Sequence, residues 1–484
     1  MTADSPAPAP EALAATDRAR LVHPFLPAAQ DKRVVMVEGE GCRLRDAEGR
    51  TYLDATAGMW LCQVGHGRAE IAEAAAAQMR RLEYATTFWD FTHDRAVALA
   101  DRLVRLSRNG QGGAERVHFT SGGSEGVEIA LRMARNFHHR RGQTERTWIL
   151  TRTGSYHGAG YASGEVSDFP CYTTGFGPHP GRVHRLTAPY PYAMGLDPEQ
   201  ITDLLVDELE AAVASIGAHR IAAMIGEPVQ ALGGMIAPPD DYWPRIAEVL
   251  RRHGILLVMD EVVTAFGRVG HWFAADRMDV RPDLTVLSKG LTSGYFPLGA
   301  VLMTGRVADV VTGDGGFPVG HTYSGHPTGC AVAMANLDII EREDLLAAAD
   351  RTGARLAAEL ATLRGLPSVG ETRQYGLMAA VEIVRDSPTR DPLPEGTYAL
   401  ADEIRDRTGV LVRGGPRALT LAPPLVMSGE EVTEAVAGIA EVLSGFHRRA
   451  AAPGPGPQAG AGAGAGAHAG SATTPRTETT PAAS

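Results

Sequence analysis

Lysine occurs only twice in 484 residues, at Lys32 and Lys289, against 44 arginines. A chain that writes arginine wherever charge suffices draws attention to the lysines it keeps. A lysine amine can lose its proton and attack a carbonyl, while a guanidinium stays charged. Lys32 sits between Asp31 and Arg33 and reads as a solvated charge. Lys289 closes the apolar run Leu284-Thr285-Val286-Leu287-Ser288, where it is either a nucleophile or a lysine that snorkels at a strand end. Two acids occupy equivalent places. Asp260 ends the run Ile255 to Met259, and Glu227 follows Ile221 to Ile225.

Two further features are compatible with the same chemistry. Phe119-Thr120-Ser121-Gly122-Gly123-Ser124-Glu125 precedes a helical pattern with Val127, Ile129, Ala130, Met133, Ala134 and Phe137 on one face. Backbone N–H groups at Gly123 and Ser124 would favour an anion there, although the same residues also make an ordinary N-capped turn. Tyr156, in Gly154-Ser155-Tyr156-His157-Gly158, could stack on a flat ring. A reactive lysine, an acid that keeps a ring nitrogen protonated, a phosphate site and an aromatic face are what pyridoxal 5′-phosphate (PLP) chemistry requires.

The elements that must position these residues alternate between strand and helix patterns. Strands are expected at Trp148–Thr151, Ile221–Ile225, Ile255–Met259, Leu284–Leu287 and Leu298–Met303. A helix is expected over Asp240–His253, from the spacing of Trp243, Ile246, Val249 and Leu250. This pattern predicts a mostly parallel, buried sheet covered by helices. Ligands bind beyond the carboxyl ends of such strands, where Glu227, Asp260 and Lys289 all fall. After residue 345 the pattern changes to a helix (Leu345–Leu363), short strands (Leu377–Val384, Val410–Val412, Leu419–Leu421) and a last helix (Glu430–Leu443), which reads as a smaller α+β domain. The expected organisation is a disordered segment over 1–20, a segment 21–75 that joins the small domain, a large domain over 76–344, a small domain over 345–449 and a low-complexity disordered tail over 450–484.

Composition narrows the class. The hydrophobic fraction of 44% supports a large core, and the net charge of −11 argues against nucleic acid or an anionic membrane as partner. The first ten residues carry an acid and several prolines rather than an apolar core, so they do not read as a secretory signal. Cys42, Cys62, Cys171 and Cys330 lack metal-ligand spacing and read as reduced thiols of a cytoplasmic protein without a metal site.

The order Ser-Gly-Gly-Ser-Glu (121–125), Tyr-His-Gly (156–158), Gly-Glu-Pro-Val-Gln (226–230), Met-Asp-Glu-Val-Val-Thr-Ala-Phe-Gly-Arg (259–268), Ser-Lys-Gly (288–290) and Thr-Tyr-Ser-Gly-His-Pro (322–327) closely resembles class III aminotransferases. The resemblance implies the aspartate-aminotransferase fold (fold type I), PLP as cofactor, and transfer of an amino group from an amine or ω-amino acid to an α-keto acid such as pyruvate. It implies that Lys289 links to the cofactor and shuttles the proton, and that Asp260 pairs with the pyridine nitrogen. Val262 and Tyr156 would hold the two ring faces, Gly123 and Ser124 the phosphate, and His157 and Glu227 would lie near the cofactor. Thr322 would reach the phosphate of the partner subunit, which makes the assembly a homodimer with shared active sites. Ala57-Gly58-Met59-Trp60 and Val64-Gly65-His66-Gly67-Arg68 resemble the ω-amino acid–pyruvate branch, with Trp60 and Phe88 lining the substrate pocket and Arg413 clamping a substrate carboxylate. Val263 replaces the Gln of the ornithine branch. Three departures stand out: Gly414 where Pro is common, Gly122 and Gly126 in place of the larger residues common in the phosphate motif, which should loosen that turn, and a 168–192 insert rich in Pro, Gly, His and Tyr. His23-Pro24-Phe25 also resembles 7,8-diaminopelargonate aminotransferases. A glutamate-1-semialdehyde-type aminomutase is the alternative on the same scaffold.

Overall fold

The computed structural model describes residues 9–450, apart from 28, 108–112, 179–180 and 386–389. Its centre is a seven-stranded sheet. From edge to edge the strands are Arg116–Thr120, Gly299–Met303, Leu284–Leu287, Leu256–Asp260, Ile221–Gly226, Trp148–Arg152 and Val183–Leu186. The last five are mutually parallel. Gly299–Met303 is antiparallel to both of its neighbours. The expectation of a mostly parallel sheet holds, and this exception has a simple cause. Only residues 288–298 join Leu287 to Gly299, with one 3₁₀ turn and no helix long enough to make a parallel crossover.

The strands are apolar throughout because both faces are covered. Successive residues alternate between two cores: Ile149, Ile225 and Val258 enter one, while Leu150, Met224 and Leu257 enter the other. The helix Gly123–Arg140 covers the first face, burying Val127, Ile129, Ala130, Met133, Ala134 and Phe137. Pro198–Ile216 and Tyr242–Arg252 cover the second. Each fully buried Leu or Ile contributes roughly 1.5–3 kcal/mol.

Outside this layer lie two smaller sheets. Val369–Tyr375, Met378–Ile383 and Ala418–Leu421 form one, packed by the helix Leu345–Ala361. The other joins Met36–Glu40, Arg43–Asp46 and Thr51–Asp54 to Val410–Leu411, which lies parallel to Thr51–Asp54. Chain ends far apart in sequence therefore share one sheet. Val412 lies just beyond its strand.

One expectation is corrected. Residues 1–20 read as disordered, yet Pro10–Arg20 is a helix. Alanine-rich composition with proline in the first turn, Glu11 near the start and Arg18 and Arg20 near the end suits a helix as well as a loop. Asp17 on this helix pairs with His23 and Arg33, fixing it to the following segment. Residues 1–8 and the tail beyond 450 lie outside the described residues.

Candidate active site

The strands Ile221–Gly226, Leu256–Asp260 and Leu284–Leu287 end side by side, and a cleft of about 610 Å³ opens beyond them. Lys289, Asp260, Glu227, Tyr156, His157, Gly123, Ser124, Val262 and Trp60 line it.

Lys289 starts a single 3₁₀ turn with a left-handed φ of 41°. Such a backbone costs a non-glycine residue roughly 1–3 kcal/mol and persists only where its surroundings impose it. The Asn336 amide imposes it here, donating to the carbonyls of Gly290 and Leu291 at 2.9 and 3.0 Å. The Gln63 side chain packs against Gly290, its Nε2 2.5 Å from where a Cβ would stand. Burial pushes the Lys289 amine down to about 8, against the opposing pull of Asp260 and Glu227. The amine is thus much closer to its nucleophilic form at neutral pH than an exposed lysine would be.

Asp260 is 5% exposed. Its Oδ2 is 2.7 Å from His157 Nδ1, and its Oδ1 accepts the Val262 N–H at 3.1 Å. An ionised carboxylate only accepts, so Nδ1 carries the proton. His157 is fixed in turn by its backbone N–H, donated to Ser167 Oγ at 2.8 Å. The neighbouring acid faces elsewhere. Glu261 is fully buried and accepts from Thr264 Oγ1 and the N–H groups of Ala274 and Ala275. One strand end thereby supplies a carboxylate to the cleft and another to the scaffold.

Glu227 is buried, which raises its pKa. Its two oxygens accept the N–H groups of Tyr156 and Ala231 at 3.1 and 2.9 Å, so it shapes the turn that presents Tyr156. The Tyr156 ring meets Tyr172 at 5.3 Å, and Tyr172 meets Phe25 edge-on at 5.9 Å. Tyr172 belongs to the 168–192 insert. The aromatic content of that insert was its only sequence signal.

The phosphate-like corner is built from glycines. Gly122 is extended, and a Cβ on it would meet nothing, leaving open space before the helix N-terminus. Gly158, at φ +130°, lets its loop close on Ser124: a Cβ there would lie 2.6 Å from Ser124 Oγ. Gly126 does not loosen the turn, contrary to expectation. A Cβ on it would lie 2.8 Å from Val286 Cγ1, so its absence lets the helix seat against the sheet.

Trp60 rides on a loop clasped by Asp54. Asp54 accepts from the Thr56 N–H and Oγ1 at 3.1 and 2.8 Å, from the Gly58 N–H at 2.7 Å, and lies 2.9 Å from His66 Nε2. Asp54 and then Cys62, by hydrogen bonding, raise the His66 pKa from 6.5 to about 10. A raised folded-state value stabilises the fold fully below pH 6.5, and that contribution is lost as pH rises through about 10. The melting temperature of the wild type should therefore exceed that of His66→Gln most below pH 6.5 and converge with it above about 10. A constant gap across that range in thermal melts would refute the charged pair.

Arg413 lies beside the cleft, its Cζ 5.1 Å from the centre of the Trp60 ring. Gly414 is required there, since a Cβ would fall 2.7 Å from Tyr398 Cα. The remaining two candidates are not brought to Lys289 within one chain. Phe88 packs on Gly320. Thr322 is exposed beside Tyr84, whose hydroxyl donates to its carbonyl at 2.9 Å. Both lie on a surface that also exposes Trp89 (88%) and Tyr323 (65%). Arg268, at the end of the Phe-Gly-Arg motif, is a fully buried staple. It donates to Gln63 Oε1 at 2.6 Å and to the carbonyls of Leu377 and Pro423.

Among the described residues, no group of three or more His, Cys, Asp or Glu could hold a metal, and no helix is long and apolar enough to cross a membrane. The cleft suits PLP: a lysine amine, a buried carboxylate, the aromatic Tyr156 and apolar Val262 in its lining, and an open corner at a helix N-terminus. Fold and cleft together define a PLP-dependent enzyme of fold type I. The family model of the class-III aminotransferases matches residues 26–443, and the chain belongs to that family. It is similar to an (S)-enantioselective ω-transaminase from Thermomicrobium roseum, with 42% identity and a TM-score of 0.86 over 90% of this chain and 98% of that one. An amine transaminase from an uncultivated Pseudomonas species, solved with PLP bound, is 40% identical with a TM-score of 0.84, over 88% of this chain and 98% of that one. A putrescine–pyruvate aminotransferase of Pseudomonas aeruginosa is 35% identical, over 83% of this chain and 88% of its own length. The protein is an aminotransferase that depends on PLP.

Proposed function

We propose that this enzyme moves an amino group from an amine or ω-amino acid to an α-keto acid, with pyruvate as acceptor. The observation that carries this reading is the placement of the Lys289 amine and the Asp260–His157 pair in one cleft, with an arginine at its side on Trp60. PLP, when bound, supplies the electron sink that lets a carbon bearing nitrogen lose its proton. Lys289 Nζ would hold the cofactor and, once released, would serve as the base that takes that proton and the acid that returns one. Asp260, oriented by His157, would keep the pyridine nitrogen protonated. Glu227 fixes the Tyr156 turn. Tyr156 and Val262 hold the ring faces, and Gly123 and Ser124 hold the phosphate. Trp60 walls the substrate space, and Arg413 takes a substrate carboxylate as a bidentate partner.

Thr322 reaches the phosphate, and Phe88 the substrate space, of the partner subunit in a homodimer. The exposure of Thr322 beside Tyr323, and the place of half-buried Phe88 next to exposed Trp89, support this. The four cysteines, all free, support a cytoplasmic location. The similarity to an (S)-enantioselective ω-transaminase and to a putrescine–pyruvate aminotransferase supports amines as donors. A 37% identical relative in Geobacter sulfurreducens, an adenosylmethionine-8-amino-7-oxononanoate aminotransferase, carries out the same class of reaction on other substrates.

Half-reaction spectra test the proposal. The holoenzyme's visible band should bleach with putrescine or another amine donor and return only when pyruvate is added. Return without any keto acid would indicate an aminomutase instead.

A further inference from the structure

The turn that carries Lys289 keeps two side-chained residues in the left-handed region, Lys289 at φ 41° and Ser293 at φ 48°. Glycine adopts that region freely, and Gly290 and Gly294 stand directly beside them. The chain nevertheless puts a lysine and a serine at the strained positions, so another group must hold the backbone there.

Asn336 meets both positions. It lies in the helix Pro327–Arg342, between Ala333 and Leu337 of the apolar core, and is fully buried. Asparagine is a weak helix former and costly to bury unless its amide is bonded. Both ends of this amide are used. Nδ2 donates to the carbonyls of Gly290 and Leu291 at 2.9 and 3.0 Å, and Oδ1 accepts from Ser293 Oγ at 2.6 Å. Carbonyl oxygens only accept, so the amide fits in one orientation. Ser293 Oγ in turn accepts the Val64 N–H at 3.3 Å, on the segment that follows Trp60.

The strand Leu284–Leu287 fixes the peptides before Lys289, and Asn336 fixes the two residues after it. The Cα–Cβ bond of Lys289 is then left one direction, into the cleft it shares with Asp260 and Tyr156. With the two carbonyls released, Lys289 would relax toward the right-handed backbone that a lysine prefers, and its amine would leave that line. Misplacing a reacting group by about 1 Å costs on the order of a hundred-fold in rate.

We propose that Asn336 is a positioning residue for Lys289: its two amide N–H bonds aim the lysine amine, while its bond from Ser293 serves the fold alone. This deepens the proposed function above and rests on it for the role of Lys289.

The test compares wild type, Asn336→Ala, Asn336→Thr and Ser293→Ala. Threonine is close to asparagine in volume but gives one O–H where the amide gives two N–H donors. Ser293→Ala removes the bonds to Asn336 Oδ1 and from the Val64 N–H and leaves both Asn336 N–H bonds in place. Three quantities are read: kcat and KM with an amine donor and pyruvate, the rate at which PLP added to the cofactor-free chain develops its visible band, and the melting temperature. Both Asn336 variants should lower kcat and the rate of band formation by roughly ten- to hundred-fold, with KM near wild type. The band should still form in full, since Gly123, Ser124 and Asp260 are untouched. Ser293→Ala should melt below wild type yet keep both rates. If one Asn336 variant does not fold, the other carries the comparison. Wild-type rates in the Asn336 variants, or rates that fall in step with melting temperature across all three, would make Asn336 a structural residue only and overturn the proposal. If the wild type neither forms the band nor transfers an amino group, the proposed function fails first and this proposal falls with it.

Discussion

Lys289→Ala is expected to abolish amino transfer, lowering kcat by roughly ten-thousand-fold or more, the upper range of what one acid–base group contributes. Lys289→Arg should be equally inactive. A guanidinium retains the charge but neither gives up its proton nor joins a carbonyl at neutral pH. This distinguishes chemistry from charge in a chain with 44 arginines and two lysines. Folding should survive both changes, because the local turn is held by Asn336 and Gln63 rather than by the lysine side chain. Steady-state rates and melting temperatures of the two variants check this. Near-wild-type turnover in either would remove Lys289 from the mechanism.

Asp260→Asn is expected to have the next largest effect. The amide keeps the size of the side chain and can still contact His157, yet it loses the charge that, on the proposed reading, would hold a proton on the pyridine nitrogen. Loss of one pre-positioned electrostatic partner in a buried site costs kcat roughly a hundred- to thousand-fold. The substitution should spare cofactor binding, because Gly123, Ser124 and Lys289 are untouched. Retained visible absorbance with a collapsed kcat is the expected signature, measured in the same half-reaction. His157→Phe should reproduce part of the loss, since it leaves the carboxylate in place without its orienting partner. A normal kcat in Asp260→Asn would mean that the proton on the ring has another source.

The core of the site was legible because it obeys a positional rule. Glu227, Asp260 and Lys289 each follow an apolar run, and parallel strands bring such ends together. The helix at Gly123–Arg140 was readable for the same reason, from periodicity alone. What stayed hidden depends on contacts between distant segments. Asp54 and His66 meet through a tight loop whose residues carry no periodic pattern, and the Asp54 clasp on Trp60 follows from φ values rather than composition. Tyr172 of the insert meets the Tyr156 ring, a contact that the insert's composition does not encode. Gly126 was misread because its neighbour, Val286, lies on a strand 160 positions away in sequence. Pro10–Arg20 was misread because alanine-rich sequence suits both helix and disorder. Phe88 and Thr322 could be placed in the site by resemblance, yet no single chain brings them there.

The central claim, that Lys289 carries the cofactor, has an unusually clean test because the chain offers only one other lysine. Lys32 is partly exposed and ion-paired with Asp406 on the surface. Treatment of the PLP-loaded enzyme with sodium borohydride fixes the cofactor to the amine that holds it, and peptide mass spectrometry then locates it. The expected result is one pyridoxyl group per chain on the peptide containing Lys289, with the Lys32 peptide unmodified. A label on Lys32, or on neither lysine while the visible band is present, would contradict the account.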